Sequence, residues 1–252
     1  MLVVAVSGKQ RAGKDTLVEK LGRHIKKIDS EIPFVKVPLA AGVYQIAQDY
    51  FNMVDKDREL LIKIGMGMRS IDPKVWINRT WKTIHKLAVN DMSTIVFIPD
   101  VRFANEQRVL KNLCEEYHLD YLAVNVEAIQ EHRAKRPGYT PEHENDSSES
   151  QEDLVFDMTV RNNTDNPSEF TQDILWSDLF KFLQLYVDLS AHPDYWEPEY
   201  FLETTLDFSL DPHILDQVSK THMAQHVIEE LGLEEFHVSP TLLYGHTPDE
   251  GV

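Results

Sequence analysis

Apolar residues occur along this chain in two patterns, as short continuous runs and at spacings of three or four. Continuous runs are typical of strands buried on both faces of a sheet, and the wider spacing is typical of amphipathic helices. The runs predict strands at 2–6, 34–37, 94–98, 121–126 and 156–160. The wider spacing predicts helices at 17–28, 40–51, 55–70, 73–89, 103–117 and 168–187.

This order of elements predicts an α/β fold. Strands and helices that alternate along a chain form a mainly parallel sheet with helices on both faces, a three-layer sandwich. A chain of 252 residues has room for one such domain and an appendage. Ligands of these sheets bind beyond the carboxyl ends of the strands, so we expect the chemistry in the segments that follow strands.

The first strand runs into a glycine-rich segment and then a helix. The segment is Gly8-Lys9-Gln10-Arg11-Ala12-Gly13-Lys14-Asp15-Thr16. In this context, G-x-x-x-x-G-K predicts a phosphate-binding loop (P-loop). Gly8 and Gly13 allow the bends that turn N–H groups, those of Arg11 and Ala12 included, towards phosphate oxygens. Lys14 reaches the β- and γ-phosphates, and the helix N-terminus adds positive charge.

The position after the loop lysine departs from the usual motif, which has a serine or threonine that binds Mg²⁺. Here it is Asp15, and Thr16 follows one residue later. A carboxylate is a hard ligand that suits Mg²⁺, so we expect the metal dependence to survive. Either Asp15 or Thr16 would contact the ion.

A second polar segment, Pro99 to Glu106, follows the strand at 94–98. Asp100 lies where a catalytic carboxylate would face the Mg²⁺ shell, or else it caps the next helix. Arg102 offers bidentate contacts to a phosphate. Glu106 falls in the first turn of that helix, as a substrate contact or as a complement to the helix dipole.

The composition of residues 129–152 predicts a lid over the active site. They combine a basic cluster, a Pro-Gly turn and a polar stretch, which is typical of a mobile loop over an active site. Arg133 and Arg136 would close over the transferring phosphoryl group as catalytic cations. The alternative is a solvated loop whose arginines pair with its acidic residues.

An acceptor pocket is predicted where the helix at 55–70 ends. Arg69 and Arg79 supply cations for a monophosphate, and Trp76 supplies an aromatic face for a base. Packing in the core is an equally good interpretation of Trp76.

Composition restricts the partners. The net charge of −17 argues against broad binding to nucleic acid or a membrane surface, but a local cluster of arginines still suits a small anionic substrate. Cys114 is the only cysteine, which fits a reducing compartment. No apolar run approaches the ~18 residues of a membrane span, and no basic segment precedes the first strand, so we expect a cytoplasmic protein without a signal peptide.

The acidic charge is concentrated at the end of the chain. Residues 189–252 hold 13 acidic residues and one lysine, which predicts a boundary between a domain at 1–188 and an acidic, mostly helical C-terminal appendage. A helix is predicted from Pro212 to Leu233. We expect the appendage to pack on the main domain or on a second copy of the chain, as in a homodimer. His222 and His226, one turn apart, are a weaker candidate for a Zn²⁺ site.

Two of these motifs together resemble the bacteriophage-type deoxynucleoside monophosphate (dNMP) kinases. They are the P-loop with aspartate after its lysine, and Pro99-Asp100-Val101-Arg102 followed by Glu106. The resemblance covers residues 1 to about 188, and it implies a P-loop kinase fold that moves the γ-phosphate of ATP to a dNMP. It also implies that Lys14, Asp15 and Thr16 bind ATP and Mg²⁺, that Arg69 and Arg102 bind the acceptor phosphate, and that Arg133 or Arg136 belongs to the lid.

Two other functions stay open. The animal-type phosphomevalonate kinases have a similar G-K-D loop and an Asp-x-Arg after a strand. A nucleotide-dependent switch would use the P-loop without phosphate transfer. The arginines of the lid and acceptor regions argue against a switch, because a switch needs no second phosphate pocket. The chain also lacks the Asn-Lys-x-Asp motif of guanine recognition.

Overall fold

In a computed structural model of the chain, the described residues are 1–144, 151, 153–165, 167–175, 177–191, 212–222 and 225. The predicted strands are present as β1 (Leu2–Ser7), β2 (Phe34–Lys36), β3 (Ile95–Ile98), β4 (Asp120–Glu127) and β5 (Met158–Arg161). They form one five-stranded sheet in the order β2-β3-β1-β4-β5, in which every neighbouring pair is parallel.

Helices follow the strands along the chain. Those of the described residues are α1 (Lys14–Ile28), α2 (Ala41–Phe51), α3 (Arg58–Ile71), α4 (Val75–Asn90), α5 (Ala104–Glu116), α6 (Gln130–Ala134), α7 (Pro167–Leu175), α8 (Asp178–Ala191) and α9 (Pro212–Ser219). None of these residues belongs to a helix long and apolar enough to cross a membrane.

Two apolar cores lie on opposite faces of the sheet, which confirms the predicted three-layer α/β fold. On β1, Leu2, Val4 and Val6 join the core formed with α1, α7 and α8. Val3 and Ala5 join the other core, which includes residues of α2 to α5. Because side chains alternate across a strand, a continuous apolar run on β1 serves both cores at once.

The predicted helix at 168–187 is wrong in one respect, since the structure has two helices there, α7 and α8. Ser177 separates them. Its backbone N–H and its hydroxyl both donate to the Ile174 carbonyl, and its Oγ accepts the N–H of Phe180 at 3.3 Å. A serine that ends one helix and caps the next interrupts an apolar pattern that is otherwise continuous.

The described part of the appendage packs on the main domain. Ile214 and Val218 of α9 are buried in the same core as α8. Asp120, at the start of β4, accepts the backbone N–H of His222 and the hydroxyl of Tyr186. The predicted helix at 212–233 instead ends at Ser219. Residues 220–222 and 225 are described after it, whereas the rest of that segment, with His226, lies outside the described residues.

Candidate active site

The P-loop lies between β1 and α1, as the sequence predicts. Gly13 is the N-cap of α1 with φ of 107°, and Gly8 has φ of 151°. Arg11 also adopts a left-handed conformation, with φ of 59°. Turns of this kind direct backbone N–H groups into a concavity, which suits an anion. The Ala12 N–H, which we predicted to face a phosphate, instead donates to the Lys9 carbonyl at 3.1 Å.

Lys14 opens α1, and its side chain turns back over the loop. Its ammonium donates to the carbonyl of Gly8 and, at 2.9 Å, to the carbonyl of Lys9. Its charge therefore lies at the mouth of the predicted phosphate site.

The two candidate metal ligands lie in the first turn of α1. Thr16 is half-buried, whereas the Asp15 side chain is 72% exposed and forms an ion pair with Lys36 at the end of β2. Within the described residues, no group of three or more His, Cys, Asp or Glu is arranged to hold a metal. An exposed carboxylate beside a phosphate site does fit Mg²⁺, which takes few protein ligands and binds through nucleotide oxygens.

Asp100 holds the loop that leads from β2 to α2. Its two carboxyl oxygens accept the backbone N–H groups of Leu39 and Ala40, each at 2.8 Å. Burial raises the pKa of Asp100, and these two hydrogen bonds oppose that shift. The alternative that Asp100 caps α5 is wrong, because the N-cap residue of α5 is Phe103.

Glu106 is buried below the segment that follows β3, with 1% of its surface exposed. Its Oε1 accepts a hydrogen bond from Arg69 at 2.7 Å. Its Oε2 accepts the backbone N–H groups of Arg102 and Phe103. We predicted a substrate contact or a helix-dipole role for Glu106, and the structure shows that it acts as an anchor for Arg69 and for this segment.

A cleft of about 380 Å³ opens between α2, α3 and the segment after β3. Its cationic lining residues are Lys56, Arg58, Arg69 and Arg102. Its other walls are largely apolar and aromatic and include Leu39, Val43, Tyr44, Leu61, Ile62, Met66 and Phe103. The guanidinium of Arg69 lies over the Phe103 ring, 4.8 Å from its centre, in a cation–π contact.

The segment after β3, which lines one side of the cleft, contacts the end of β1, directly before the P-loop. Ser7, directly before Gly8, donates its hydroxyl to the Val101 carbonyl at 2.8 Å, and the Val101 N–H donates to Val6. Val101 lies between Asp100 and Arg102, so both polar segments meet at the carboxyl ends of the neighbouring strands β1 and β3.

The aromatic face that we predicted for a base is not at this cleft. Trp76 is 3% exposed and packs in the core, where its indole N–H donates to the Gly65 carbonyl at 3.1 Å. Arg79 lies outside the cleft lining and donates to Gln45. Tyr44 and Phe103 are the aromatic residues that line the cleft.

The two predicted lid arginines lie against the P-loop. Arg133 is 2% exposed and donates to the carbonyls of Ala128 and Gln10 and to both carboxyl oxygens of Glu144. Arg136 donates to the carbonyls of Arg11 and Ala12 and to the segment after β5. Arg133 therefore pairs with an acidic residue of its own loop, as in the alternative, but it is buried and not solvated, and Arg136 binds backbone carbonyls instead.

Sequence reasoning missed several of these residues. Lys36 ends β2, and Asn162 directly follows β5. The rule that ligands bind beyond the carboxyl ends of strands, which pointed to Asp100, would therefore have found both. Lys56 and Arg58 flank Asp57, the N-cap of α3, and nothing in the local pattern points them to the cleft. Glu144 lies in a polar run where no single carboxylate stands out.

No protein-family model matches the chain, and no curated protein matches it. Among solved structures, the APS kinase CysC of Mycobacterium tuberculosis in complex with AMPPNP and APS is similar, with 11% identity, 69% of this chain and 94% of that chain covered, and a TM-score of 0.45. A cysteine-to-alanine mutant of the same enzyme is also similar, with 12% identity, 69% of this chain and 93% of that chain covered, and a TM-score of 0.39. Likeness this distant supports no statement about activity, and the fold rests on the sheet order and the P-loop of this chain.

Proposed function

We propose that the chain is a phosphotransferase that moves the γ-phosphoryl group of ATP to a deoxynucleoside 5′-monophosphate. The observation that carries this proposal is that a P-loop and a cationic cleft follow neighbouring strands, β1 and β3, and that Ser7 and Val101 join the two segments. A switch that only binds a nucleotide needs the first site and not the second. A kinase needs both, because donor and acceptor phosphates must meet in line.

The lining of the cleft favours a nucleotide as acceptor. Its volume of about 380 Å³ lies in the usual range for small-molecule sites, which is about 300–1,000 Å³. The cations Arg69 and Arg102 suit a phosphate, and the apolar and aromatic walls suit a base. Mevalonate 5-phosphate carries a short methyl-substituted chain with a carboxylate and a hydroxyl in place of a ring, so it would cover less of those walls.

On the donor side, Lys14 would exchange its contacts with the loop carbonyls for the β- and γ-phosphate oxygens. Asp15 or Thr16 would hold Mg²⁺, which in the case of Asp15 requires the carboxylate to share or leave its pair with Lys36. The ion would neutralise charge on the phosphates as the transfer proceeds. Asp100 would keep the loop from β2 to α2 closed against this edge of the sheet.

On the acceptor side, Arg69 and Arg102 would bind the monophosphate and aim one of its oxygens at the γ-phosphorus. Glu106 would fix Arg69 in that orientation. A phosphate monoester has its second pKa near about 6, so it is largely dianionic at neutral pH and needs no strong general base. Positioning and electrostatic stabilisation then supply most of the rate.

The test is acceptor-stimulated release of ADP from Mg-ATP. The panel contains the deoxynucleoside monophosphates, the ribonucleotides and mevalonate 5-phosphate, and Lys14→Ala serves as the blank. Turnover with one or more deoxynucleotides would support the proposal and define the base preference. Turnover with mevalonate 5-phosphate alone would show that the acceptor is this compound and not a deoxynucleotide. If ATP binds but no acceptor stimulates release of ADP, phosphotransfer would be overturned in favour of a switch.

A further inference from the structure

Five consecutive carbonyls of the P-loop, those of residues 8–12, accept hydrogen bonds from cationic side chains. Lys14 donates to the first two. Arg133 donates to the carbonyl of Gln10 at 3.3 Å, and Arg136 donates to those of Arg11 at 2.6 Å and Ala12 at 3.2 Å. Lys14 belongs to the loop, whereas both arginines come from the segment at 129–144.

Each arginine is itself held from behind. Glu144 binds Arg133 through both oxygens, and it also accepts hydrogen bonds from Lys9 and from the Tyr139 hydroxyl. Asn162, which is 4% exposed, accepts Arg136 through its backbone and side-chain oxygens. The side-chain amide of Asn162 also donates to the Ala12 carbonyl at 2.7 Å, so both Arg136 and Asn162 contact the loop. We call the two arginines, together with Glu144 and Asn162, the clamp.

Fixing a carbonyl also fixes the next N–H. In a planar trans peptide, the carbonyl of one residue and the N–H of the following residue point in opposite directions. Holding the carbonyls of residues 10–12 therefore orients the N–H groups of residues 11–13. The Ala12 N–H donates to the Lys9 carbonyl at 3.1 Å, so the N–H groups of Arg11 and Gly13 are the ones that this restraint would present to a triphosphate. The restraint matters most at Arg11, because its left-handed φ of 59° is costly for a residue with a side chain.

We propose that Arg133 and Arg136, with their anchors Glu144 and Asn162, are positioning residues that shape the P-loop for a triphosphate by binding its carbonyls from outside. This inference rests on the proposed function, since it assigns the loop to ATP. It differs from the catalytic lid role that the sequence suggests, in which the arginines would contact the transferring phosphoryl group directly.

Neutralising Glu144 changes the affinity for triphosphate in opposite directions, depending on whether this carboxylate anchors Arg133 or only masks its charge. Its carboxylate lies beside Lys9 and Arg133, at the edge of an anion site. If it only masked these cations, its neutralisation would release them to the triphosphate and strengthen binding. If it anchors a clamp, its neutralisation loosens Arg133, and with it the loop, so binding weakens.

The experiment measures binding of Mg-AMPPNP to the full chain by calorimetry, for Glu144→Gln and for the matched control Glu142→Gln. Glu142 is exposed on the turn at Pro141–His143 and makes the same change of charge two residues away. We expect Glu144→Gln to weaken binding about tenfold or more relative to the control, as for other residues that orient binding groups. Equal or tighter binding would overturn the clamp.

Arg136→Lys is the second variant, and it decides the question if Glu144→Gln fails to fold. Lysine keeps the charge but loses the planar fork that binds several carbonyls at once. The clamp predicts weaker AMPPNP binding and a larger rise in the KM for ATP than loss of kcat, whereas a role based on charge alone predicts no change. Absence of AMPPNP binding by the unmodified protein would instead overturn the proposed function.

Discussion

Glu106 and Arg69 form an ion pair of 2.7 Å in which the carboxylate is 1% exposed and the arginine 21%. The pair joins α3 to the first turn of α5, so the orientation of an arginine in the cleft depends on a residue that does not line it. Glu106 also accepts two backbone N–H groups from the segment after β3. One buried carboxylate therefore positions both arginines that we assign to the acceptor phosphate.

Glu106→Gln should raise the KM for the acceptor about tenfold or more, with a smaller change for ATP. The NH₂ group of glutamine would face either Arg69 or the N–H groups of Arg102 and Phe103, and a donor cannot accept their hydrogen bonds. The free energy of unfolding should therefore also fall by about 1–3 kcal/mol. Steady-state kinetics with each substrate varied, together with urea unfolding, measure both effects. The control is Glu116→Gln, exposed near the end of the same helix, and an equal effect there would refute the assignment.

Lys14→Ala should abolish phosphoryl transfer and weaken triphosphate binding strongly, because the variant loses the ammonium group that we assign to the β- and γ-phosphates. Its thermal midpoint should stay close to that of the parent, since the lysine is only partly buried. Lys27→Ala, at the exposed end of the same helix, should keep both binding and turnover. An unchanged kcat for Lys14→Ala would reject the P-loop as the donor site.

Gly13→Ala should lower the free energy of unfolding and the affinity for ATP. The new Cβ would lie 2.4 Å from the side-chain amide of Asn162, and φ of 107° is strained for alanine. The strain alone is roughly 1–2 kcal/mol. Gly67→Ala is the control, because open space surrounds that position inside α3, and it should stabilise the chain by up to about 1 kcal/mol. Denaturant midpoints of both variants give the comparison.

Acid should reveal the anchoring role of Glu144. Hydrogen bonds from Arg133, opposed by burial and supported by its charge, lower the pKa of Glu144 from 4.5 to about 2. Between these values the unfolded chain binds the proton and the folded chain does not, so this contribution to stability is lost as pH falls from about 4.5 to about 2. Glu144→Gln should flatten that part of the stability profile relative to Glu142→Gln, and identical profiles would contradict the ion pair.

Cys114 should be unreactive in the folded protein. It is fully buried, and burial raises the pKa of its thiol to about 12, so hardly any thiolate forms at pH 8. As the only cysteine of the chain, it makes thiol labelling a clean measure of global opening. The labelling rate should rise sharply with urea. Fast labelling without denaturant would show local opening near α5 and β4.

Much of the fold could be predicted because each signal is local. Apolar runs buried on both sides marked the strands, and helical spacing marked most of the helices. The P-loop was readable because its glycines, lysine and strand–helix context are consecutive in the sequence. Prediction failed at the break between α7 and α8, where a single serine overrides the surrounding apolar pattern.

The sequence by itself determined the residue types that the chemistry needs and the edge of the sheet where they gather. Only the tertiary structure decided which of them can face a ligand. Trp76 packs in the core, and Glu106 binds Arg69. Arg133 binds Glu144, which is 11 residues away in the sequence, and Gln10, which is 123 residues away. The physical reason is that a buried polar group takes whichever partner the packed chain brings within hydrogen-bond distance, and that choice depends on contacts far apart in sequence.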